Sequence, residues 1–246
     1  MDEGPRGWAM PLYERVLDAT GTGAGTRVLD LGCGVGGFSA AAVARGAHVH
    51  GIDADPSAVR AATAEVPGAT FALVDAHDLG EVGPVDVAAA VQLIAHVRDP
   101  LRVLREAARV ASGGTVVVTV WGDEQRCDVR AFGEALAPWL GPRRPPPVDG
   151  PDRLVELVTA AGLQVGVSDE VVCAFRYPDE DAVLEPLFAS GIGRHAINSA
   201  GPVAVRDAVL ARLADHRAAE GSYRLDNTFR VLTSHSLRCG ASRTGR

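Results

Sequence analysis

The sequence predicts an α/β fold: a doubly wound, mostly parallel sheet of seven strands, with a small helical cap inserted before the last strand. Three observations carry that expectation. Strand and helix patterns alternate from about residue 26 to residue 175, as in sheets covered by helices on both faces. A short apolar strand, Arg27 to Leu31, runs straight into the glycine-rich turn Gly32-Cys33-Gly34-Val35-Gly36-Gly37. Three carboxylates, Asp30, Asp53 and Asp75, stand at the carboxyl ends of three successive strands.

The elements follow in order. After the first strand and its turn, Phe38 to Arg45 reads as a helix stopped by Gly46. Ala47 to Asp53 is the second strand, and Asp55-Pro56 opens a helix with a cap and a proline at its first position. Ala69 to Val74 and Val85 to Val91 are the third and fourth strands, the latter apolar enough to be buried on both faces. Asp99-Pro100 repeats the capping device, Leu101, Leu104 and Ala108 recur at helical spacing, and Gly113-Gly114 ends that helix. Thr115 to Trp121 is a β-branched fifth strand. A proline-rich stretch follows, with a short helix near Val129 to Leu136. Asp152 to Ala161 is a helix and Leu163 to Phe175 the sixth strand. Two helices, Asp179 to Ser190 and Pro202 to Ala219, then interrupt the alternation before a last strand, Ser222 to Ser236. Residues 1–239 are expected to form one domain, with 176–221 as the cap and 240–246 as a disordered tail.

Composition narrows the partners. The 246 residues are 47% hydrophobic and carry a formal net charge of -7, which argues against a partner bound mainly through phosphates. Pro142-Arg143-Arg144-Pro145 is the one obvious basic stretch, and a solvated loop explains it equally well. No apolar run approaches the ~20 residues that span a bilayer, and the first residues lack the pattern of a secretory signal. Cys33, Cys127, Cys173 and Cys239 show no zinc-like spacing, which points to isolated thiols in a reducing cytoplasm. The expected setting is cytoplasmic, as a monomer or homodimer, with no membrane and no nucleic acid.

The turn carries the chemistry. A strand entering glycines and then a helix aims backbone N–H groups and a positive helix end at one point. Gly32, Gly34 and Gly37 satisfy GxGxxG, which several nucleoside cofactors share. Asp30 separates the readings. A dinucleotide's pyrophosphate would meet a second negative charge there, whereas a cofactor bearing an ammonium and no phosphate would be attracted. Asp53 can accept both hydroxyls of a ribose. Asp75 can accept an adenine amino group, with the Ala76 N–H facing a ring nitrogen.

Val28-Leu29-Asp30-Leu31-Gly32-Cys33-Gly34-Val35-Gly36 resembles motif I of the class I S-adenosylmethionine (SAM)-dependent methyltransferases. Gly51-Ile52-Asp53-Ala54-Asp55 is similar to that family's second motif, Val74-Asp75-Ala76 to its third, and Val85-Asp86-Val87 through His96-Val97-Arg98-Asp99-Pro100 to its fourth. Arg109-Val110 followed by Gly113-Gly114 resembles the family's R-V-L-x-P-G-G ending, with Ala111 and Ser112 replacing the usual residues. The resemblance is close over roughly residues 12–121 and holds only in outline beyond. It implies a Rossmann-like methyltransferase fold whose last strand is antiparallel, SAM as cofactor and S-adenosylhomocysteine as product. Asp30, Gly32, Cys33 and Gly34 would hold the methionine part, Asp53 and Ala54 the ribose, and Asp75 and Ala76 the adenine. Val91 would line the site at the end of the fourth strand, and Tyr13 would close over it.

Methyl transfer from a sulfonium asks the protein chiefly for alignment and exclusion of water. A hydroxyl or acid acceptor also loses a proton, and His96, after the fourth strand, is the candidate base. His195 and His235 are weaker candidates. Trp8, His96, Trp121 and His195 are candidate substrate contacts, with Phe132 and Trp139 as further apolar walls and Phe175 and Phe188 packing the cap. His48 and His50 lack a third ligand, so no metal is expected. The reading is transfer of a methyl group to the oxygen, nitrogen or carbon of a small organic acceptor of specialised metabolism. Its alternatives are a SAM-binding protein catalysing a non-methylating reaction such as cyclisation, and an NAD-dependent oxidoreductase. A nucleic-acid or protein methyltransferase is disfavoured by the charge and by the lack of an Asn-Pro-Pro-Tyr-like motif.

Overall fold

Runs of valine, leucine and alanine lay down the strands, and the residues at their ends decide where the chain turns. The structure, a computed structural model, describes residues 4–5, 7–141 and 150–236. The basic stretch Pro142 to Pro145, Cys239 and the tail from Gly240 to Arg246 lie outside the described residues. The element order is α1 (Met10–Thr20), β1 (Arg27–Leu31), α2 (Gly37–Ala44), β2 (His48–Asp53), α3 (Pro56–Glu65), β3 (Thr70–Leu73), β4 (Val87–Val91), α4 (Pro100–Val110), β5 (Thr115–Trp121), α5 (Arg130–Leu136), α6 (Gly150–Ala160), β6 (Leu163–Tyr177), α7 (Glu180–Ala189), α8 (Gly191–Ala200), α9 (Pro202–Arg212) and β7 (Tyr223–Ser236).

The strands form one seven-stranded sheet in the order β3-β2-β1-β4-β5-β7-β6. β1 pairs in parallel with β2 and β4, β2 with β3, and β4 with β5. β7 runs the other way. Ser234 bonds the Val116 carbonyl while Gly122 bonds that of Thr228, so the numbering rises along β5 as it falls along β7. Thr233 with Val167 and Arg230 with Glu170 show the same reversal against β6. The order reverses direction between β1 and β4, the switch point at which open α/β sheets bind ligands beyond their carboxyl ends.

Local chemistry explains the helix starts. Asp55 accepts the Ser57 N–H at 2.7 Å and Asp99 accepts the Arg102 N–H at 3.0 Å, each with proline next in the chain. These bonds satisfy amides that the first helical turn leaves without partners. α4 then buries Val103, Leu104, Ala107 and Val110 along one stripe. β4, Val-Ala-Ala-Ala-Val, is buried over its first four residues, as its apolar run predicts.

Among the described residues the chain forms two compact units. One holds residues 12–120, 150–170 and 230–236, and the other residues 4–5, 7–11, 121–141 and 171–229. The first unit is cored by Leu29, Leu31, Ile52, Leu104, Val116 and Leu154, all fully buried. In the second, the Trp8 ring lies tilted 4.9 Å from both Phe175 and Phe229, and Trp121 lies 4.5 Å from Phe229.

Most boundaries shift by a residue or two from the sequence reading, and the differences with a tertiary cause fall in the last third of the chain. The linker expected between the two late helices contains a further helix, α8. Its first turn, Gly191-Ile192-Gly193, has little intrinsic helix preference. Ser190 starts it by accepting the Gly193 N–H at 3.0 Å, and Gly193 lacks a side chain where α7's Leu187 backbone passes closest. The run expected to reach Ala219 ends at Arg212. Ala218 instead bonds Ser222 at 2.8 Å, and Arg217 bridges Tyr223, so the chain is already turning back. β6 continues two residues past Phe175 to Tyr177, whose side chain is buried like those of Cys173 and Phe175.

Leu104 tests this packing. Leu104→Ala should lower unfolding stability by about 2–5 kcal/mol through lost burial and a residual cavity. The exposed neighbour Arg105→Ala should stay within about 0.5 kcal/mol. Urea titration of both variants measures the contrast.

Candidate functional site

The turn after β1 is left-handed at three glycines, Gly32 (φ 69°), Gly34 (φ 54°) and Gly36 (φ 89°), a conformation that residues with a Cβ adopt at a cost. Two of them lack a side chain for different reasons. A Cβ on Gly32 would collide with Leu93. A Cβ on Gly34 would meet nothing within 4 Å, so the main chain there opens onto space that a ligand can fill. The turn is pinned to the neighbouring strand: the Cys33 N–H donates to the Ile52 carbonyl at 2.9 Å, and the Gly34 N–H to Asp53 Oδ2 at 2.9 Å.

Register places the acids. Asp30 faces Gly51 across the β1–β2 pair, and Asp53, the last residue of β2, faces Leu73 of β3. Asp75 follows two residues after β3 ends. Asp30 is 1% exposed. Ser39, on the first turn of α2, donates its hydroxyl to Asp30 Oδ2 at 2.6 Å. Burial raises the Asp30 carboxyl, the Ser39 hydroxyl and backbone bonds pull it down and the Asp53 charge raises it, which together leave it at about 7. Asp53, half-buried, accepts the Gly34 N–H on one oxygen and the Asp55 N–H on the other at 2.9 Å. Each carboxylate oxygen has two acceptor positions, so Asp53 can still take two more donors. Asp75 is exposed, and two hydrogen bonds from His77 hold its carboxyl below its ordinary value.

The other expected cofactor residues lie in the same unit. Cys33 is buried, and burial followed by the Asp30 and Asp53 charges pushes its thiol up to about 12, so it stays protonated and inert. Ala54 is exposed, Ala76 buried and Val91 half-buried. Tyr13, half-buried on α1, lies edge-on to Phe38 at 5.9 Å, and its hydroxyl occupies the space beside Gly37.

His96 closes a short 3₁₀ turn, Ile94–His96, after β4, and its side chain is exposed. One residue there escaped sequence reasoning. Gln92, directly after β4, has φ 56° and is the one described non-glycine residue in the left-handed region. Its backbone N–H and its side-chain Nε2 both donate to Thr119 Oγ1, at 2.9 and 3.0 Å. Thr119 is fully buried on β5. Such strain of order 1–3 kcal/mol persists only where surroundings enforce it, and it clusters at functional sites. A glutamine after an apolar strand gives no hint of this in sequence.

The remaining candidates scatter. Trp8 and Trp121 share the aromatic cluster of the second unit, where Trp8 is buried and Trp121 half-buried. His195, expected between helices, stands on α8 with its side chain exposed. Phe132, Trp139 and Phe188 are each half-buried. His235 reaches Thr115 at 3.3 Å. His48 is exposed and His50 bonds Thr70 at 2.8 Å. Among the described residues, no three His, Cys, Asp or Glu side chains gather as a metal site, and no helix is long and apolar enough to cross a membrane.

A family model described as a methyltransferase domain matches residues 6–166, more than half of the chain. The ubiquinone biosynthesis O-methyltransferase of Thiobacillus denitrificans is 34% identical over 110 residues, which are 42% of this chain and 47% of that protein. That of Sodalis glossinidius is 37% identical over 106 residues, 40% of this chain and 42% of its own. The chain thus spans less than half the length of these curated relatives. Solved structures share the fold. A magnesium protoporphyrin IX methyltransferase of Synechocystis, with S-adenosylhomocysteine bound, superposes with a TM-score of 0.57 at 16% identity, over 92% of this chain and 82% of its own. A SAM-dependent methyltransferase of Aquifex aeolicus gives 0.56 at 17%, over 94% of both chains. The 4+2 cyclase SpnF gives 0.56 at 21%, over 92% and 80%.

The raised Asp30 carboxyl makes stability depend on pH. Its ordinary value is 3.8 and its folded value about 7, so between those values the native chain binds more protons than the unfolded one. Linkage then makes this contribution complete below about 4 and progressively lost as pH rises toward 7. Urea midpoints at pH 5 and pH 7.5 should show the wild type losing more stability over that interval than Asp30→Asn. Equal losses would contradict the buried ionisation.

Proposed function

The chain belongs to the methyltransferase-domain family, and on that premise we propose that it binds S-adenosylmethionine at the carboxyl ends of β1, β2 and β3 and methylates a small organic acceptor. One observation carries the proposal. Asp30 and Asp53 hold negative charge around an open glycine turn, close enough that the Asp53 charge raises the Asp30 carboxyl. A cation relieves that repulsion, and a phosphate would add to it. The donor set fits a nucleoside bearing an ammonium. Asp30, with Gly32 and Gly34, would hold the amino-acid end, Asp53 the ribose hydroxyls, and Asp75 with the Ala76 N–H the adenine. Val91 and Tyr13 would wall the site.

When bound, the cofactor supplies a methyl group already activated by a sulfonium. The protein's own part is then to align an acceptor and exclude water, worth up to about 7–11 kcal/mol in favourable intramolecular cases. His96 would take the proton of a hydroxyl or acid acceptor, a contribution of about 10²–10⁴-fold. Similarity to a cyclase supports the fold alone, so the product of the reaction decides between methyl transfer and a non-methylating use of the same cofactor.

Calorimetry tests the cofactor site. Asp53→Ala should weaken SAM binding at least tenfold. Because the bound ammonium favours ionised Asp30, wild-type affinity should rise with pH up to about 7 and then level off. Binding at pH 6.5 should release a proton, and Asp30→Asn should abolish both effects. Clean titration by NAD with no heat from SAM would overturn the proposal. Where an acceptor is in hand, His96→Ala should lower turnover at least tenfold with SAM affinity nearly unchanged, read by release of S-adenosylhomocysteine with methylated product.

A further inference from the structure

The loop after β3 contains a histidine whose two ring nitrogens have opposite tasks. Asp75 Oδ1 receives two hydrogen bonds from His77, one from its backbone N–H at 2.9 Å and one from ring Nδ1 at 2.5 Å. On the far side of the ring, Nε2 receives the backbone N–H of Asp99 at 3.3 Å. A ring nitrogen that accepts a hydrogen bond carries no proton, so this contact assigns the ring hydrogen facing the carboxylate to Nδ1. The His77 carbonyl accepts Arg102 Nε at 2.7 Å. Asp99 and Arg102 are themselves joined at the start of α4, where the Asp99 carboxylate caps the Arg102 N–H. The His77 side chain is only 16% exposed, whereas that of Asp75 is 57% exposed.

We propose that His77 is a positioning residue that makes Asp75 selective for a purine bearing a 6-amino group. Two donors from one residue fix the rotation of the Asp75 carboxylate by occupying Oδ1. Oδ2 takes neither of these bonds and, with the Arg98 charge favouring the ionised carboxylate, is an acceptor matched to an exocyclic N–H. A 6-oxo purine presents an acceptor to that acceptor and is rejected, because neither group has a hydrogen to share. The Asp99 N–H makes the arrangement one-sided. The other tautomer would turn a bare nitrogen toward the carboxylate and a ring N–H toward a backbone N–H, and both contacts repel. The first turn of α4 therefore sets the tautomer, the tautomer sets the carboxylate, and the carboxylate reads the base. This role rests on the proposal that the cleft holds an adenosyl cofactor.

Competition between two ligands tests it without any acceptor. Calorimetric affinities for S-adenosylhomocysteine and its 6-oxo counterpart, S-inosylhomocysteine, give a preference ratio, expected to be tenfold or more for the wild type. In His77→Asn the side-chain amide reaches the Nδ1 position, and most of the ratio should survive. In His77→Gln the amide reaches only the Nε2 level, and the ratio should fall about tenfold, toward parity. Asp75→Asn, which can offer a donor, should shift the preference toward the 6-oxo compound. Nitrogen-15 spectra of the wild-type imidazole should show the hydrogen on Nδ1. A wild-type ratio retained in His77→Gln, an equal loss in both His77 variants, or a hydrogen on Nε2 would each overturn the role. Equal wild-type affinity for the two ligands would overturn it while sparing the cofactor proposal, and binding of neither would overturn both.

Discussion

A carboxylate withdrawn from water at the end of a strand needs a compensating partner, and Asp30 finds it in the hydroxyl and backbone N–H of Ser39. The Ser39 hydroxyl serves one of its oxygens, while the Asp53 charge works against ionisation. Burial outweighs those bonds and leaves the carboxyl at about 7; acids perturbed in this way cluster at functional sites. The register of β1 against β2, the left-handed glycines and the position of Ser39 on α2 all serve to keep that acid where it is.

The same logic runs along the edge of the sheet. Asp53 is tied down by two backbone amides, Asp75 by one histidine, and Gln92 by the hydroxyl of Thr119. Asp53 and Gln92 each reach a second element, and Asp75 is held by a histidine of its own loop that is in turn bonded to the start of α4. Preorganisation of this kind lowers the ordering cost of binding. It also explains how Gln92 can keep a strained backbone: two hydrogen bonds to a fully buried hydroxyl hold it there.

Much of the site was legible because its determinants are local. A strand entering glycines, an aspartate at each of three strand ends, and Asp-Pro at two helix starts each need only a few neighbouring residues to take effect, and the structure reproduces those elements within a residue or two. The helix α8 was not legible, because Gly191 and Gly193 argue against helix locally, and close approach to α7 outweighs that preference. Neither Gln92 nor His77 was legible. Their roles come from Thr119, 27 residues on, and from Asp99, 22 residues on, and no local pattern reports such pairings.

Sequence by itself determined the order of strands and helices up to β6, the glycine turn, and which residues end the strands, because hydrophobic periodicity, capping and φ preference act over a few residues. Tertiary structure alone decided the ionisation of Asp30, the strain at Gln92, the tautomer of His77 and the placing of Trp8 among Phe175 and Phe229. Burial, charge proximity and hydrogen-bond direction depend on distances between segments far apart in the chain, and those distances exist only after the sheet has formed.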